Sequence, residues 1–272
     1  MKTIGIIGSE GRYGKWLCRF FEQRHDQVIG ADQETVHSVR YVVQNADVVI
    51  FATPIKETPA LIEALVPFSR AQQLWLDIAS LKKVVVTAML HSKAEVVGLH
   101  PMCAPPATPT LQGEALVVCE ARLDLWQSWF NELLQDLEGR VIRTSPEEHD
   151  RIMAGVQVLA QSLPLIMVRV LDDLNISIET ASDYATPLMR SLLLAAGRML
   201  AQDAQLFTNI LFGNPHSRGL LIALQEEAAQ LAKLLATNSR SGYVDQFEAA
   251  RAYYGGDRAD TAYHQFEKLF IN

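Results

Sequence analysis

Polar and apolar positions divide this chain into two stretches with different periods. Through about residue 145, short β-rich runs alternate with helical segments. "TIGIIG", "QVIGAD", "DVVIFAT", "QLWLDIA", "AEVVGLH", "EALVVC" and "GRVIRT" read as seven strands. That alternation predicts a doubly wound parallel sheet with crossover helices, an α/β architecture of Rossmann type. From "SPEEHD" onward the β signal stops. Ser145 suits an N-cap, with Pro146 at the first helical position and Glu147 and Glu148 in the first turn. The rest reads as helix: "TPLMRSLLLAAGRMLAQDAQLFTNILF", "SRGLLIALQEEAAQLAKLLAT" and "GYVDQFEAARAYYGG". The pattern therefore predicts an α/β domain over 1–145 and an all-α domain over 146–272. The first of these helical segments is apolar around much of its circumference, so packing between subunits, as in a homodimer, is expected.

The helix that follows "EEHD" raises a question of its own. Counted at helical spacing, Asp150, Gln157 and Gln161 fall at i, i+7 and i+11, one stripe of an otherwise apolar run. Two neutral amides on that stripe need a reason. Satisfying buried backbone is an adequate one for Gln157.

Composition narrows the function classes. Of 272 residues 49% are hydrophobic, and the net charge is −7 with no block of Lys and Arg. A nucleic-acid or membrane-surface role is not expected, because phosphate contact needs a cationic footprint. The cysteines, Cys18, Cys103 and Cys119, form no CxxC pair, which favours reduced thiols over a disulfide framework or metal site. No stretch reads as a signal peptide, and the longest apolar run, "LPLIMV", is too short to span a bilayer. A soluble, cytoplasmic protein is the expectation.

Candidate chemistry begins at "IGIIGSEGRYGKW", a strand, a glycine-rich turn and a helix start. Gly8, Gly11 and Gly14 would let the backbone approach a pyrophosphate at the helix N-terminus, with Arg12 and Tyr13 in the first turn. The motif is not a clean GxGxxG: Ser9 takes the first glycine slot, and Gly8 precedes it. The second strand ends at Asp32, whose carboxylate would accept ribose hydroxyls and repel a 2′-phosphate, so NAD is expected over NADP. Thr53 and Pro54 close the next strand, where an open sheet meets its ligand. A tight turn in some unrelated α/β protein is the plain alternative. Two further strand ends carry polar clusters: Asp77, Ser80 and Lys82 in "LDIASLKK", and His100 in "GLHPM". His100 is the natural base near neutral pH, and Ser80 both donates and accepts.

Together "DIASLK", "GLHPM", "EEHD", "PLMRSLLLAAGRMLAQDAQLF" and "FEAARAYYGGD" resemble the prephenate dehydrogenase family over nearly the whole chain. The chorismate mutase domain fused to some members is not expected here. The resemblance implies that His100 takes a proton from the substituent on ring carbon 4 as hydride leaves for NAD. It also implies that Ser80 hydrogen-bonds that substituent and that Arg198 clamps a substrate carboxylate, with Arg190 a weaker candidate. The bottom-up argument for Arg198 is its place after Gly197 inside an apolar helix, where an unpaired charge is costly. No metal is needed.

One position departs from the resemblance: Gln161 stands where the family usually has a histidine, with Ala160 beside it. The loop "CAPPATPT" also differs. An amine at carbon 4 has a more available lone pair than a hydroxyl, and a neutral amide carbonyl can accept its N–H. The expectation is a 4-amino-4-deoxyprephenate dehydrogenase feeding specialised metabolism, such as antibiotic biosynthesis. The alternatives are a prephenate dehydrogenase of tyrosine synthesis and a non-catalytic NAD-binding sensor.

Overall fold

A computed structural model describes residues 1–270. The α/β part runs β1 (Thr3–Ile7), α1 (Arg12–Gln23), β2 (Gln27–Ala31), α2 (Val39–Asn45), β3 (Val48–Phe51), α3 (Thr58–Leu65), β4 (Leu74–Asp77), α4 (Lys83–Leu90), β5 (Glu95–Pro101), β6 (Ala115–Arg122), α5 (Gln127–Leu137) and β7 (Arg140–Arg143). All seven expected strands form one sheet in the order β2-β1-β3-β4-β5-β6-β7. The first five are parallel and aligned: Ile7 pairs with Phe51, Phe51 with Asp77, and Asp77 with Gly98. Their carboxyl ends therefore share one edge, where Gly8, Thr53, Ser80 and His100 follow or close the strands.

The wholly parallel sheet expected from the sequence does not extend to the last pair. β6 runs antiparallel to β5, with His100 opposite Val117, and β7 is parallel to β6. Between β5 and β6 lies the loop 102–114 in place of a crossover helix, so the chain re-enters the sheet from the edge it has just left.

Helices cover both faces of this sheet. Every residue of β3, β4 and β5 is buried, as continuous apolar runs in a doubly covered sheet require. Alternate residues feed opposite cores. Ile4, Ile6 and Ile50 pack with Trp16, Phe20, Phe21 and Phe130 on one side. Ile7, Val49, Phe51 and Trp75 pack with Val42, Ile62, Val85 and Met89 on the other.

After β7, Ser145 caps α6 (Pro146–Met153) by accepting the Glu148 N–H at 3.2 Å, as its sequence position implied. A π-helical segment, Ala154–Val158, carries the helix on into α7 (Leu159–Asp173). Then follow α8 (Ile178–Asp183), α9 (Pro187–Leu200), α10 (Ala204–Gly213), α11 (Ser217–Ala236), α12 (Arg240–Tyr254) and α13 (Gly256–Phe270). The segment read as one helix from Thr186 is two. It breaks at Asp203, whose carboxylate accepts the Gln205 N–H at 2.9 Å and so starts α10. Neither glycine nor proline marks that break.

The chain forms two compact units, 1–153 with 208–215, and 154–207 with 216–272. The first takes in α6 and the end of α10. Within the second, α7 packs on α9, and α12 packs on both α11 and α13. Among the described residues one helical stretch, Pro146–Asp173, is long and apolar enough to cross a membrane by length and composition. "LPLIMV" had suggested no such run; the π segment joins it to the apolar residues on its N-terminal side. Leu163, Leu165, Ile166 and Val170 are exposed along this helix.

Candidate active site at the carboxyl edge of the sheet

The glycine turn is built for close backbone approach. Gly8 has φ +90°, and a Cβ there would lie 2.6 Å from the Ala52 carbonyl oxygen. A Cβ on Gly14 would lie 2.0 Å from the Gly8 carbonyl oxygen, so the first turn of α1 can press against the loop only as glycine. Gly11 is the N-cap of α1 and offers no side chain. Ser9 fits the first glycine slot because Gly30 of β2 leaves it room: a Cβ on Gly30 would lie 2.7 Å from the Ser9 Cβ. The departure from GxGxxG is thus compensated on the neighbouring strand. Asp32 accepts the Glu10 N–H at 2.9 Å and the Gln33 N–H at 2.8 Å, tying the turn to the end of β2. Thr53 shares a hydrogen bond with Thr58 at 2.8 Å, just before Pro54 turns the chain into α3. A glycine cradle at a helix N-terminus with a carboxylate at the next strand end fits a dinucleotide.

Arg12 is exposed on the first turn of α1. Tyr13 donates its hydroxyl to the Cys103 carbonyl at 2.7 Å, and Trp16 donates its indole N–H to the Thr108 carbonyl at 2.9 Å. Burial pushes the Tyr13 phenol well above its ordinary range, so it stays a donor. These two side chains of α1 fasten the loop that follows His100.

His100 closes β5 and is buried, and a chain of hydrogen bonds leads away from it. Its Nδ1 lies 2.9 Å from Nε2 of His149 on α6, and Nδ1 of His149 lies 2.8 Å from Oδ1 of Asp150. The same Asp150 oxygen accepts the Lys82 N–H at 2.8 Å, and its other oxygen accepts the Lys83 N–H at 3.1 Å. Asp150 therefore caps α4 from a distant element and meets the positive end of that helix. Burial alone would raise its pKa, but the His149 and backbone hydrogen bonds outweigh it and hold the carboxyl below the usual range.

An ionised Asp150 sets the tautomers along the chain. His149 must donate from Nδ1 to the carboxylate, so its Nε2 accepts, and His100 must donate from Nδ1 to that nitrogen. The basic lone pair of His100 then sits on Nε2. Burial, with Lys82 and His149 nearby, holds the His100 imidazole well below its ordinary pKa and hence neutral. An oriented neutral imidazole at the carboxyl edge of an α/β sheet has the lone pair that general-base chemistry requires.

Beneath this chain lies a second buried pair. The Lys82 ammonium bonds to Asp77 Oδ2 and, at 2.6 Å, to the Leu99 carbonyl, with both side chains fully buried. Burial raises the Asp77 carboxyl above its usual range, against the pull of Lys82. Asn214, near the end of α10, donates to the Asp150 carbonyl at 2.7 Å and fastens the last turn of α6.

His100 and Ser80, with the residues of the glycine turn, belong to the first unit, and Gln161 and Arg198 to the second. Ser80 is half-buried just beyond β4. Arg198 is exposed on α9, so the cost of burying an unpaired charge gives no reason for its presence. The weaker candidate Arg190, on the same helix, is exposed as well. Gln161 is half-buried on α7, and its side-chain oxygen is buried without a hydrogen-bond partner among the described residues. The π segment Ala154–Val158 lies between Asp150 and Gln161, so spacing counted at 3.6 residues per turn does not apply across it. Sequence reasoning gave His149 no role in the chemistry and used Asp150 only as the start of a helical stripe. The adjacent His-Asp pair at a capped helix start was the signal for a base-orienting role. It acquires that meaning only beside His100.

Comparison with known proteins agrees with the fold. Residues 21–142 match the family described as "Prephenate dehydrogenase, nucleotide-binding domain", and 145–249 match "Prephenate dehydrogenase, dimerization domain". The first match begins beyond the glycine turn. A "Probable arogenate/prephenate dehydrogenase" of Methanocaldococcus jannaschii is 27% identical over 98% of this chain and 64% of its own length. A "T-protein" of Haemophilus influenzae is 27% identical over 93% of this chain and 67% of its own. The chain thus spans about two thirds of the length of these curated relatives. Two solved structures share the fold with TM-scores of 0.73: the arogenate dehydrogenase of Synechocystis, and the prephenate dehydrogenase of A. aeolicus in complex with hydroxyphenyl propionate and NAD+. They are 19% and 16% identical, cover 95% and 94% of this chain, and are each matched over 99% of their own length.

Proposed function

Because the chain belongs to the prephenate dehydrogenase family of NAD-dependent dehydrogenases, we propose that it carries out the oxidative decarboxylation of a prephenate-type cyclohexadiene, with 4-amino-4-deoxyprephenate as substrate and 4-aminophenylpyruvate as product. The observation that carries the amine is the Gln161 side-chain oxygen, a buried acceptor unmet among the described residues. Such an acceptor suits a ligand that brings an N–H donor, because a buried acceptor left unmet costs free energy.

The glycine turn and Asp32 would hold NAD, which supplies the hydride acceptor when bound. The chemistry differs between the two ring substituents. From a hydroxyl, His100 takes the proton as hydride leaves carbon 4. The bond from carbon 1 to its carboxylate then breaks, CO2 departs, its electron pair enters the ring, and the oxygen recovers the proton from His100. From an amine, the nitrogen lone pair expels the hydride to give an iminium, and the pair released with CO2 neutralises it as the ring becomes aromatic. The second course moves no proton at any step, whereas the first borrows one and returns it. A neutral His100 also spares the amine a like-charged neighbour. Ser80 would hydrogen-bond the substituent, and Arg198 would clamp a carboxylate with its permanently charged fork.

The second reading is prephenate itself, giving 4-hydroxyphenylpyruvate. It is favoured by the Asp150–His149–His100 chain, the equipment a hydroxyl substrate requires. The exposed apolar side chains of α7 fit burial against a second copy, and the match to a dimerization domain supports a homodimer. An aminophenylpyruvate product would feed specialised metabolism.

The test is NADH formation by the purified protein with each substrate, compared by kcat/KM, in the wild type and in Gln161→His. A preference for the amine that shrinks in the variant is the expected result. A wild type that favours prephenate, with a variant of unchanged preference, overturns the amine assignment.

A further inference from the structure

The Lys82–Asp77 pair is not part of the base relay, yet the site is built around it. A Cβ on Gly98 would lie 3.0 Å from Lys82 Cδ and 3.2 Å from Asp77 Oδ1, so the glycine two residues before His100 clears the path of this lysine stem. The ammonium it delivers bonds the carbonyl of Leu99, the residue immediately before His100. The backbone N–H of the same residue bonds Asp150, the far end of the relay. One residue thus grips the base at both ends.

Resting on the reading of His100 as the base, we propose that Lys82 is a positioning residue whose buried ammonium fixes the strand end bearing His100 and keeps that ring a proton acceptor. A buried charge is screened less than one at the surface, and a like charge nearby disfavours the protonated imidazole. Among the described residues, Lys82 at the start of α4 and His149 on α6 act on His100, with Asp77 of β4 bonded to Lys82 and Asp150 of α6 bonded to His149. Cys119 lies on β6, its thiol pushed up to about 12 by burial and therefore uncharged. Asp150 is committed to His149 and two backbone amides, and Asp77 to Lys82. Burial and the Lys82 charge both oppose protonation of His100. The consequence is a base that stays competent in mildly acidic solution, while a dianionic substrate, by its own charge, draws protons to the site.

The experiment uses Lys82→Met and the charge-neutral double variant Asp77→Asn with Lys82→Met, which leaves no lone buried charge should the single variant misfold. Two readouts are taken between pH 5 and 9: kcat/KM for NADH formation, and titration of the His100 ring by NMR of protein with labelled histidine. The expected result is a wild-type His100 that titrates well below the ordinary imidazole range. In the double variant the ring titrates about one pH unit or more higher, and kcat/KM falls further at pH 6 than at pH 8.5. The proposal is overturned if the wild-type ring titrates at its ordinary position, or if the variants lose the same fraction of activity at every pH. Absence of turnover in the wild type would refute the enzymatic reading alone, because the NMR titration still reports on Lys82.

Discussion

Replacing His149 with phenylalanine isolates the relay. The rings of His149 and His100 meet edge-on, with centroids 5.1 Å apart at 62°, and phenylalanine preserves that contact while deleting both ring nitrogens. Asp150 keeps the amides of Lys82 and Lys83, so α4 stays capped and little of the loss falls on the fold. The loss falls on His100, whose Nδ1–H points at carbon where it met nitrogen at 2.9 Å. A buried donor left unsatisfied costs about 1–3 kcal/mol. The imidazole recovers part of that cost by moving its proton to Nε2, the nitrogen that must accept from substrate. A penalty of about 1–3 kcal/mol on the competent tautomer lowers kcat/KM by roughly 5- to 150-fold. The assay is steady-state NADH formation at pH 8 with prephenate, alongside thermal unfolding to verify the fold. A folded variant with less than a twofold loss would refute the claim that His149 orients the base.

His100→Asn distinguishes the two substrates by mechanism: kcat/KM should fall about 10²- to 10⁴-fold for prephenate, the usual worth of a general base, and much less for the amine. Equal losses on both would remove the iminium course. Asp150 carries a pH signature. Its folded pKa lies below the unfolded value, so its contribution to stability is complete above about pH 4 and is lost as pH falls through the folded pKa. Asp150→Asn should therefore unfold at lower urea than the wild type at pH 7, by about 1–3 kcal/mol for the lost charge-assisted bonds. The two proteins should converge as pH falls through the folded pKa, and a gap that does not narrow in acid would show the carboxylate is not the source.

Much of the molecule is settled by local chemistry, and the sequence by itself determines it. β-branched runs such as "VVIF" have no polar face to leave in water, so they predict buried parallel strands wherever the sheet places them. Gly8 stands at a positive φ, the region glycine enters freely, and Ser145 before Pro146 starts a helix in any context. The candidate base was legible for the same reason, since a histidine ending a β-rich run belongs at a strand end. What only the tertiary structure decided depends on pairs far apart along the chain. β6 reverses because the loop after His100 carries no crossover helix, and Tyr13 and Trp16 fasten it 90 and 92 residues away. The break at Asp203 depends on a side-chain cap that apolar periodicity does not register. Arg198, read as a charge buried in an apolar helix, is exposed because a helix apolar by composition need not be covered within one chain. The relay joins His149 to His100 across 49 residues and Asp150 to the Lys82 amide across 68. Periodicity and capping rules reach about one helical turn, whereas hydrogen bonds in a buried site are chosen by whichever elements the sheet brings together.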